Sequence, residues 1–557
     1  MISNIKKFIR RNNLDGYIIP KNDMYFTEYS KVNNLQKVTN FSGSAGFALI
    51  LKNKNYLFVD GRYIHQAKKQ SGENFKICII PYIWPKDLPL KKIIKIGFDP
   101  KIFTENLLFK YFANKVDLIP ISFNFKNKKE TNIEKFFHLD KSIVGETSIS
   151  KIKKLKTILN KNRINYLYIS ASENVCWLLN IRGADLPNSP LANCKLIFSN
   201  KGKMYLLVNN LKIDNLKKNL KNVKFYGETD LLLVVNKLKI GNICIDKNSC
   251  SVFDQNIITS KLKIISNVDP IYDLKSIKND IEIKNTLKAH ILDGVALTKF
   301  LYWFKFRKNK ITEKKVEEKL EIFRKKSNNY LYPSFDTIAG SGPNGSIIHY
   351  KSTNKTNRKI NKNDVLLVDS GGQYKWGTTD VTRTTCSGKI TNKIKNNFTR
   401  VLKGHIAVVT CNLKKNYNGN LIDNLARNPL KKIGLDYSHG TGHGVGFFLN
   451  VHEGPISISK FNNISLKKGM ILSNEPGYYL KNKYGIRIEN LIYIESFKNK
   501  LIFKNLTFAP IDLDMVNFKM LTDKEKKYLF YYHLDVYSKI SNYLNKNEKR
   551  WLINLIK

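Results

Sequence analysis

The chain has 557 residues, 42% of them hydrophobic, which exceeds what one core usually organises, so two to four domains are expected. Lys and Arg total 95 against 45 Asp and Glu, a net charge of +50, but the excess is spread along the chain with Asn and Ile and forms no Arg-rich, aromatic-laced patch, which argues against nucleic-acid binding. No apolar run approaches the roughly 20 residues needed to span a membrane, and none of the seven cysteines forms a CxxC pair, so a soluble cytoplasmic protein with reduced core thiols is expected.

The N-terminus, MISNIKKFIRRNN, is basic and mildly amphipathic but has no continuous apolar stretch and no small-residue cleavage site, so it reads as a helix ahead of a strand over 17–20. From Asp15, short β-branched or aromatic runs (GYIIP, GFALIL, YLFVD, FKICIIPYI, KIGFD) alternate with polar or helical connections, an α/β pattern. SGSAG at 42–46 lacks the GKS/T of a phosphate loop and the spacing of a dinucleotide fingerprint, so a tight turn with close backbone contacts is expected. A Lys/Asn-rich stretch over 126–142 reads as a linker. After it the alternation restarts, with a helix over about 148–162, a strand over 166–169, the string CWLLNIRGADLPNSP, and strands over 195–197 and 204–208. The similar length and order of the two segments suggest a duplicated α/β domain.

Near 266–275 the texture changes. Ile283, Leu287, Ile291 and Val295 recur at four-residue spacing and predict a long amphipathic helix; a second helix, TEKKVEEKLEIFRKKS, puts Val316, Leu320 and Phe323 on one face. His290, within the first helix, reads as an ordinary packed or exposed histidine. Thr522 and Glu525 form a capping-box pattern that opens a C-terminal helix.

Between these helical regions, DVLLVDSGGQYKWGTTDVTR at 364–383 delivers two carboxylates from neighbouring strands. Asp369 closes the apolar run Val365 to Val368, and Asp380 follows a Gly-rich reversal. Two acids at the ends of buried strands carry a desolvation cost that a divalent metal would offset. Further ligand types follow in HGTGHGVG at 439–446, NVHEGP at 450–455, SNEPGYY at 473–479 and YGIRIEN at 484–490. Four of the nine histidines, His349, His439, His443 and His452, fall in this region.

Asp369, Asp380, Glu475 and Glu489 with His443 form a hard, oxygen-rich set. It suits a pair of Mn²⁺, Zn²⁺ or Co²⁺ ions better than a structural zinc, and two ions sharing carboxylates hold a hydroxide, which points to a hydrolase. On GIRIENLIYI, Ile486 and Ile488 face one side while Arg487 and Glu489 face the other, so Arg487 can neutralise and orient the acids. The glycines of HGTGHGVG argue for a loop and strand rather than a helical zinc pair, and so for separate roles of His439 and His443. His349 and His452 are neutral-capable donors for a substrate carbonyl and its developing oxyanion.

At these strings the sequence closely resembles the Xaa-Pro aminopeptidases (aminopeptidase P) of the pita-bread M24 metallopeptidase family, in their long form. The likeness covers DGYIIP, SGSAG, FVDGRY, WLLNIRGAD, the stretch from FDTIAGSGPNGSIIHY to GIRIEN, and NLTFAPIDLDM. It implies an α+β fold: two smaller creatinase-N-like α/β domains, over 1–135 and 141–270, then a pita-bread catalytic domain over 276–557 with a C-terminal helical extension. It implies two divalent ions per subunit, Mn²⁺ before Zn²⁺ or Co²⁺, and peptides with proline at the second position as substrates. Asp369 becomes the terminal ligand of one ion, Asp380 and Glu489 the bridging carboxylates, and His443 and Glu475 ligands of the other; His349, His439 and His452 match the family's catalytic histidines. Family members commonly form homodimers, and one is expected here. NFSGSAG in place of GFTGSAG and DSGGQY in place of DSGAQY touch no ligand and bear on substrate fit rather than chemistry. The rival readings are a prolidase of the same fold and a non-catalytic basic binding protein; the latter should have lost ligands, and all five positions are filled.

Overall fold

The alternating runs of the N-terminal half assemble into two six-stranded sheets. In spatial order the first is Lys76–Ile80, Asn55–Asp60, Phe47–Leu51, Gly16–Pro20, Lys95–Phe98 and Asp117–Pro120; the second is Val223–Tyr226, Met204–Val208, Cys194–Ser199, Tyr166–Ile169, Asn242–Ile245 and Lys263–Ser266. Order and sense repeat: the central strand has an antiparallel hairpin on one side and two parallel neighbours on the other in both sheets. That repetition is what a duplicated α/β unit requires, although the letters scarcely repeat.

The computed structural model describes residues 1–90, 94–126, 133–220 and 222–556, which form two units, Met1–Tyr272 and Asp273–Lys557. The turn at 42–46 makes the close contacts its glycines allow, since a Cβ on Gly43 would meet the Phe41 ring at 2.1 Å. Part of the expected linker, 127–132, lies outside the described residues. The rest is not a free connection, because Phe137–His138 pairs with Ile181–Arg182 and a short helix, Lys141–Val144, follows. All seven cysteines are free thiols and six are buried. Among the described residues no helix is long and apolar enough to cross a membrane.

The second unit opens on helix Asp280–Phe306, capped by Asn279, whose side chain accepts from the Ile281 and Glu282 N–H groups. The single apolar stripe expected here understates its burial. Leu287, Ile291 and Val295 are only partly buried, whereas Ala289, His290, Asp293, Leu297, Phe300 and Phe304 are fully covered. A strand and a helix pack on a second face: Tyr374 Oη from strand Gly372–Tyr374 and Arg324 Nε from the end of helix Glu313–Arg324 donate to Asp293 at 2.9 and 2.8 Å, and Arg324 also donates to Ser370 Oγ beside Asp369. His290 is packed, and burial pushes its pKa down to about 4.

Two three-stranded antiparallel sheets frame the site, one of Ile338–Ser341, Leu366–Ser370 and Val381–Thr385, the other of Ile471–Asn474, Asn490–Phe497 and Lys500–Asn505. A hairpin, Gly477–Leu480 with Tyr484–Arg487, joins them. At the C-terminus helix Asp523–Ile540 carries the expected capping box. Tyr528 and Tyr532 stack inward and Trp551 packs on Tyr302, while Phe530 and Tyr531 stay about half exposed, at 45% and 54%.

Candidate metal centre

Strand register brings the acids together. Asp369 sits opposite Thr382 in the central strand, and Asp380 stands one residue before the strand that contains Thr382. Glu489 arrives from far downstream, its N–H bonded to Thr382 O at 3.1 Å and its carboxylate accepting from Thr382 Oγ1 at 2.8 Å. Ligand atoms of Asp369, Asp380 and Glu489 lie within 4.8 Å of one another; so do those of His443, Glu475 and Glu489, and those of Asp380, His443 and His452. Two overlapping clusters thus share Glu489, as a two-ion site would.

Asp369, Glu475 and Glu489 each have one oxygen committed to the protein. Arg487 Nη2 donates to Asp369 Oδ2 at 2.6 Å, whereas Asp369 Oδ1 is buried with no hydrogen-bond partner among the described residues. Ser473 Oγ donates to Glu475 Oε1 at 3.0 Å and itself accepts the His443 N–H at 2.9 Å. The His443 Nδ1–H faces Gly444 O at 2.9 Å, so Nε2 turns a lone pair toward Asp380 Oδ2 at 3.4 Å and Glu475 Oε1 at 3.5 Å. A lone pair facing two carboxylates needs a cation between them. An orphaned buried oxygen and this imidazole are the features that divalent ions would satisfy, so the residues present fit such a pair.

Without ions the site holds protons instead. Burial opposes charge on His443, but the hydrogen bond to Asp380 and the charges of Glu475 and Asp380 outweigh it and push the pKa up to about 9. Burial, with the charges of Asp380 and Glu475, raises Asp369 to about 6 against the pull of Arg487; burial and three neighbouring acids hold Glu489 well above the usual carboxylate range. The sign follows from linkage. Both His443 and Asp369 are raised, so their stabilising contributions are full below the unfolded values, 6.5 and 3.8, and are lost as pH rises through about 9 and about 6. Metal-loaded protein has already released those protons. The gap in melting temperature between metal-loaded and chelated protein should therefore widen as pH rises from about 6 to about 9, and a constant gap in calorimetry would contradict this arrangement.

Arg487 is the electrostatic hinge of the centre. It donates to Asp369, to Thr382 Oγ1 at 3.1 Å and to Tyr479 Oη at 2.6 Å. Tyr479 Oη in turn meets His439 Nε2 at 3.0 Å, and the His439 Nδ1–H faces Gly440 O at 2.7 Å. His439 therefore reaches the acids through Tyr479 and Arg487 and joins none of the three ligand clusters. Helix Gly419–Lys431 pins its loop: Arg427 donates to His439 O at 2.6 Å and Tyr437 O at 2.7 Å, and Thr441 Oγ1 donates to Asp423 at 2.6 Å.

His452 stands with its ring 4.3 Å from that of His443 and nearly perpendicular to it. Its neighbour Glu453 is buried and held by Lys278 Nζ at 2.6 Å and Lys275 Nζ at 3.4 Å, which anchors the loop. His349 lies half-buried on the turn after the 3-10 segment Gly342–Ser346, outside the three clusters. Sequence reasoning passed over Thr382, Tyr479 and Ser473. All three stand inside strings singled out for their acids, but nothing in their spacing distinguishes a side chain that orients a carboxylate from a packed one.

Fold and site together define a metal-dependent hydrolase of the pita-bread type. Residues 284–496 match the description "Metallopeptidase family M24", residues 1–122 and 127–282 match creatinase/prolidase N-terminal domains, and residues 499–557 match the C-terminal region of peptidase M24. "Probable Xaa-Pro aminopeptidase P" of Laccaria bicolor is 35% identical over 99% of this chain and 92% of its own length. The X-prolyl aminopeptidase of Caenorhabditis elegans, described as a cytosolic enzyme with a di-nuclear active site, superposes with a TM-score of 0.91 at 30% identity over 98% of this chain and 95% of that one. The prolidase of Pyrococcus horikoshii OT3 reaches a TM-score of 0.55 at 26% identity and covers 65% of this chain and 99% of its own. The chain belongs to metallopeptidase family M24, in the form with two creatinase-N-like domains ahead of the catalytic one.

Proposed function

We propose that this chain is a metallo-aminopeptidase that hydrolyses the N-terminal Xaa-Pro bond of peptides. The observation that carries the chemistry is the convergence of Asp369, Asp380, His443, Glu475 and Glu489, with one Asp369 oxygen and the His443 lone pair left for cations. The substrate class rests on the relatives, since the probable Xaa-Pro aminopeptidase P of Laccaria bicolor and the X-prolyl aminopeptidase of Caenorhabditis elegans match this chain over 99% and 98% of its length. Domain bounds of 1–135, 141–270 and 276–557 belong to this reading.

Divalent ions bound here, Mn²⁺ before Zn²⁺ or Co²⁺, would supply Lewis-acid polarisation of the carbonyl and a water nucleophile of lowered pKa. Asp369, Asp380, His443, Glu475 and Glu489 would hold them. Glu475 keeps one oxygen on Ser473 and has the other to take a proton from the attacking water. It passes that proton to the departing proline nitrogen, a poor leaving group until protonated. His349 and His452 hold the carbonyl oxygen as it gains charge, and Arg487, Tyr479 and His439 keep Asp369 ionised and oriented. The reading includes a cytoplasmic homodimer, for which exposed Phe530 and Tyr531 offer apolar surface.

Metal content by mass spectrometry, measured beside turnover of Xaa-Pro peptides from dipeptide to decapeptide, tests the proposal. Cleavage of tripeptides and longer, abolished by chelation, is expected. Cleavage of dipeptides alone would replace it with a prolidase, and full activity after rigorous chelation would sink it.

A further inference from the structure

We propose that Glu313 is the positioning residue for His349: a buried carboxylate that gathers the residues on either side of that histidine and fixes where its ring meets the substrate. The proposal rests on the substrate-binding role given to His349 above.

The segment that carries His349 leaves strand Ile338–Ser341, whose far end lies opposite Asp369, and returns through Lys359–Ile360. That return pairs with Ile311–Thr312, immediately before Glu313, the first residue of helix Glu313–Arg324. Glu313 is fully buried, and no cationic head group pairs with it among the described residues. A bare buried carboxylate is costly unless donors converge on it, and here they do. It accepts the Ser341 N–H at 2.8 Å, Asn344 Nδ2 at 2.9 and 3.0 Å, Tyr350 Oη at 2.7 Å and the Arg358 N–H at 3.1 Å. The helix N-terminus adds favourable polarity.

Those four donors mark the geometry of the loop. Ser341 and Arg358 are its two ends, Tyr350 follows His349 directly, and Asn344 lies five residues before it. The neck is closed a second time by Arg358, which donates to Ser341 O at 2.9 Å and to Asp364 at 3.0 Å. On its other side the loop rests on the site itself: a Cβ on Gly485 would fall 1.8 Å from Gly345 O, and Gly485 precedes Arg487 by two residues. The loop is thus clamped between the Glu313 carboxylate and the strand that bears Arg487. Loosening the clamp moves His349 relative to the metal ligands while leaving every ligand in place.

The test is a double-mutant cycle on the metal-loaded, full-length enzyme, with kcat, KM, metal content and melting temperature as readouts. Glu313→Gln keeps the shape but turns an acceptor oxygen into a donor facing an N–H. Alone it should lower kcat about tenfold or more with full metal content, since misplacement on the ångström scale is that costly; in a His349→Ala background it should cost less than about twofold. Tyr350→Phe, which removes a single donor and threatens folding less, should show the same dependence on His349 with a smaller loss. Equal losses in both backgrounds, or an unchanged kcat for Glu313→Gln, would overturn the proposal. Normal activity of His349→Ala by itself would remove the role of His349, and the proposal with it, before either second variant is made.

Discussion

Replacing His443 with alanine, or Asp380 with asparagine, is expected to strip metal from the purified enzyme and lower kcat by at least about 10³, the scale set when ions generate the nucleophile. His443 Nε2 faces Asp380 and Glu475 at 3.4 and 3.5 Å, and Asp380 belongs to two of the three ligand clusters. Removing either leaves the remaining acids in mutual repulsion with too few donors to hold an ion. His349→Ala and His452→Ala should behave differently, each losing roughly 10² in kcat, as loss of an oxyanion donor does, with both ions retained. His452 is the sharper case, because its ring nitrogen comes within 4.8 Å of the ligand atoms of Asp380 and His443. Loss of metal from His452→Ala would make it a ligand, and near-normal kcat with intact metal would deny it any role.

The largest loss of stability is expected at Arg383, which the sequence does not single out. Its guanidinium is buried and pairs with no carboxylate among the described residues. It donates instead to the carbonyls of Thr382, Glu489, Ala509 and Pro510 at 2.8, 2.6, 2.8 and 3.0 Å, to Asn490 Oδ1 at 2.8 Å and to Tyr532 Oη at 2.9 Å. Each buried acceptor left without a donor costs about 1–3 kcal/mol, so Arg383→Met should lose more than about 4 kcal/mol, at the extreme of single substitutions. Arg383→Lys should recover little, since an ammonium cannot reproduce the planar fork. Denaturant unfolding of metal-loaded protein measures it; a loss under about 1 kcal/mol would mean that water replaces the guanidinium. Because Glu489 O is one of the acceptors, the variant should also bind metal more weakly.

Residue identities and local order were legible from the chain itself. β-Branched runs became the strands of both N-terminal sheets, Thr522 marked a helix start, and five ligand-type residues stood in Gly- and Pro-punctuated strings, because propensity, capping and turn chemistry act over a few residues. What each buried polar group bonds to was decided only by the tertiary structure. Arg487 meets Asp369 across 118 residues, Thr382 meets Glu489 across 107, and Arg383 reaches Pro510 across 127. The Tyr350 bond to Glu313, the burial of helix Asp280–Phe306 on a second face and the pairing of Phe137–His138 are of the same kind. The physical reason is that a hydrogen bond or a pKa depends on the dielectric and donors around an atom, which distant segments supply on packing and which spacing along the chain does not specify.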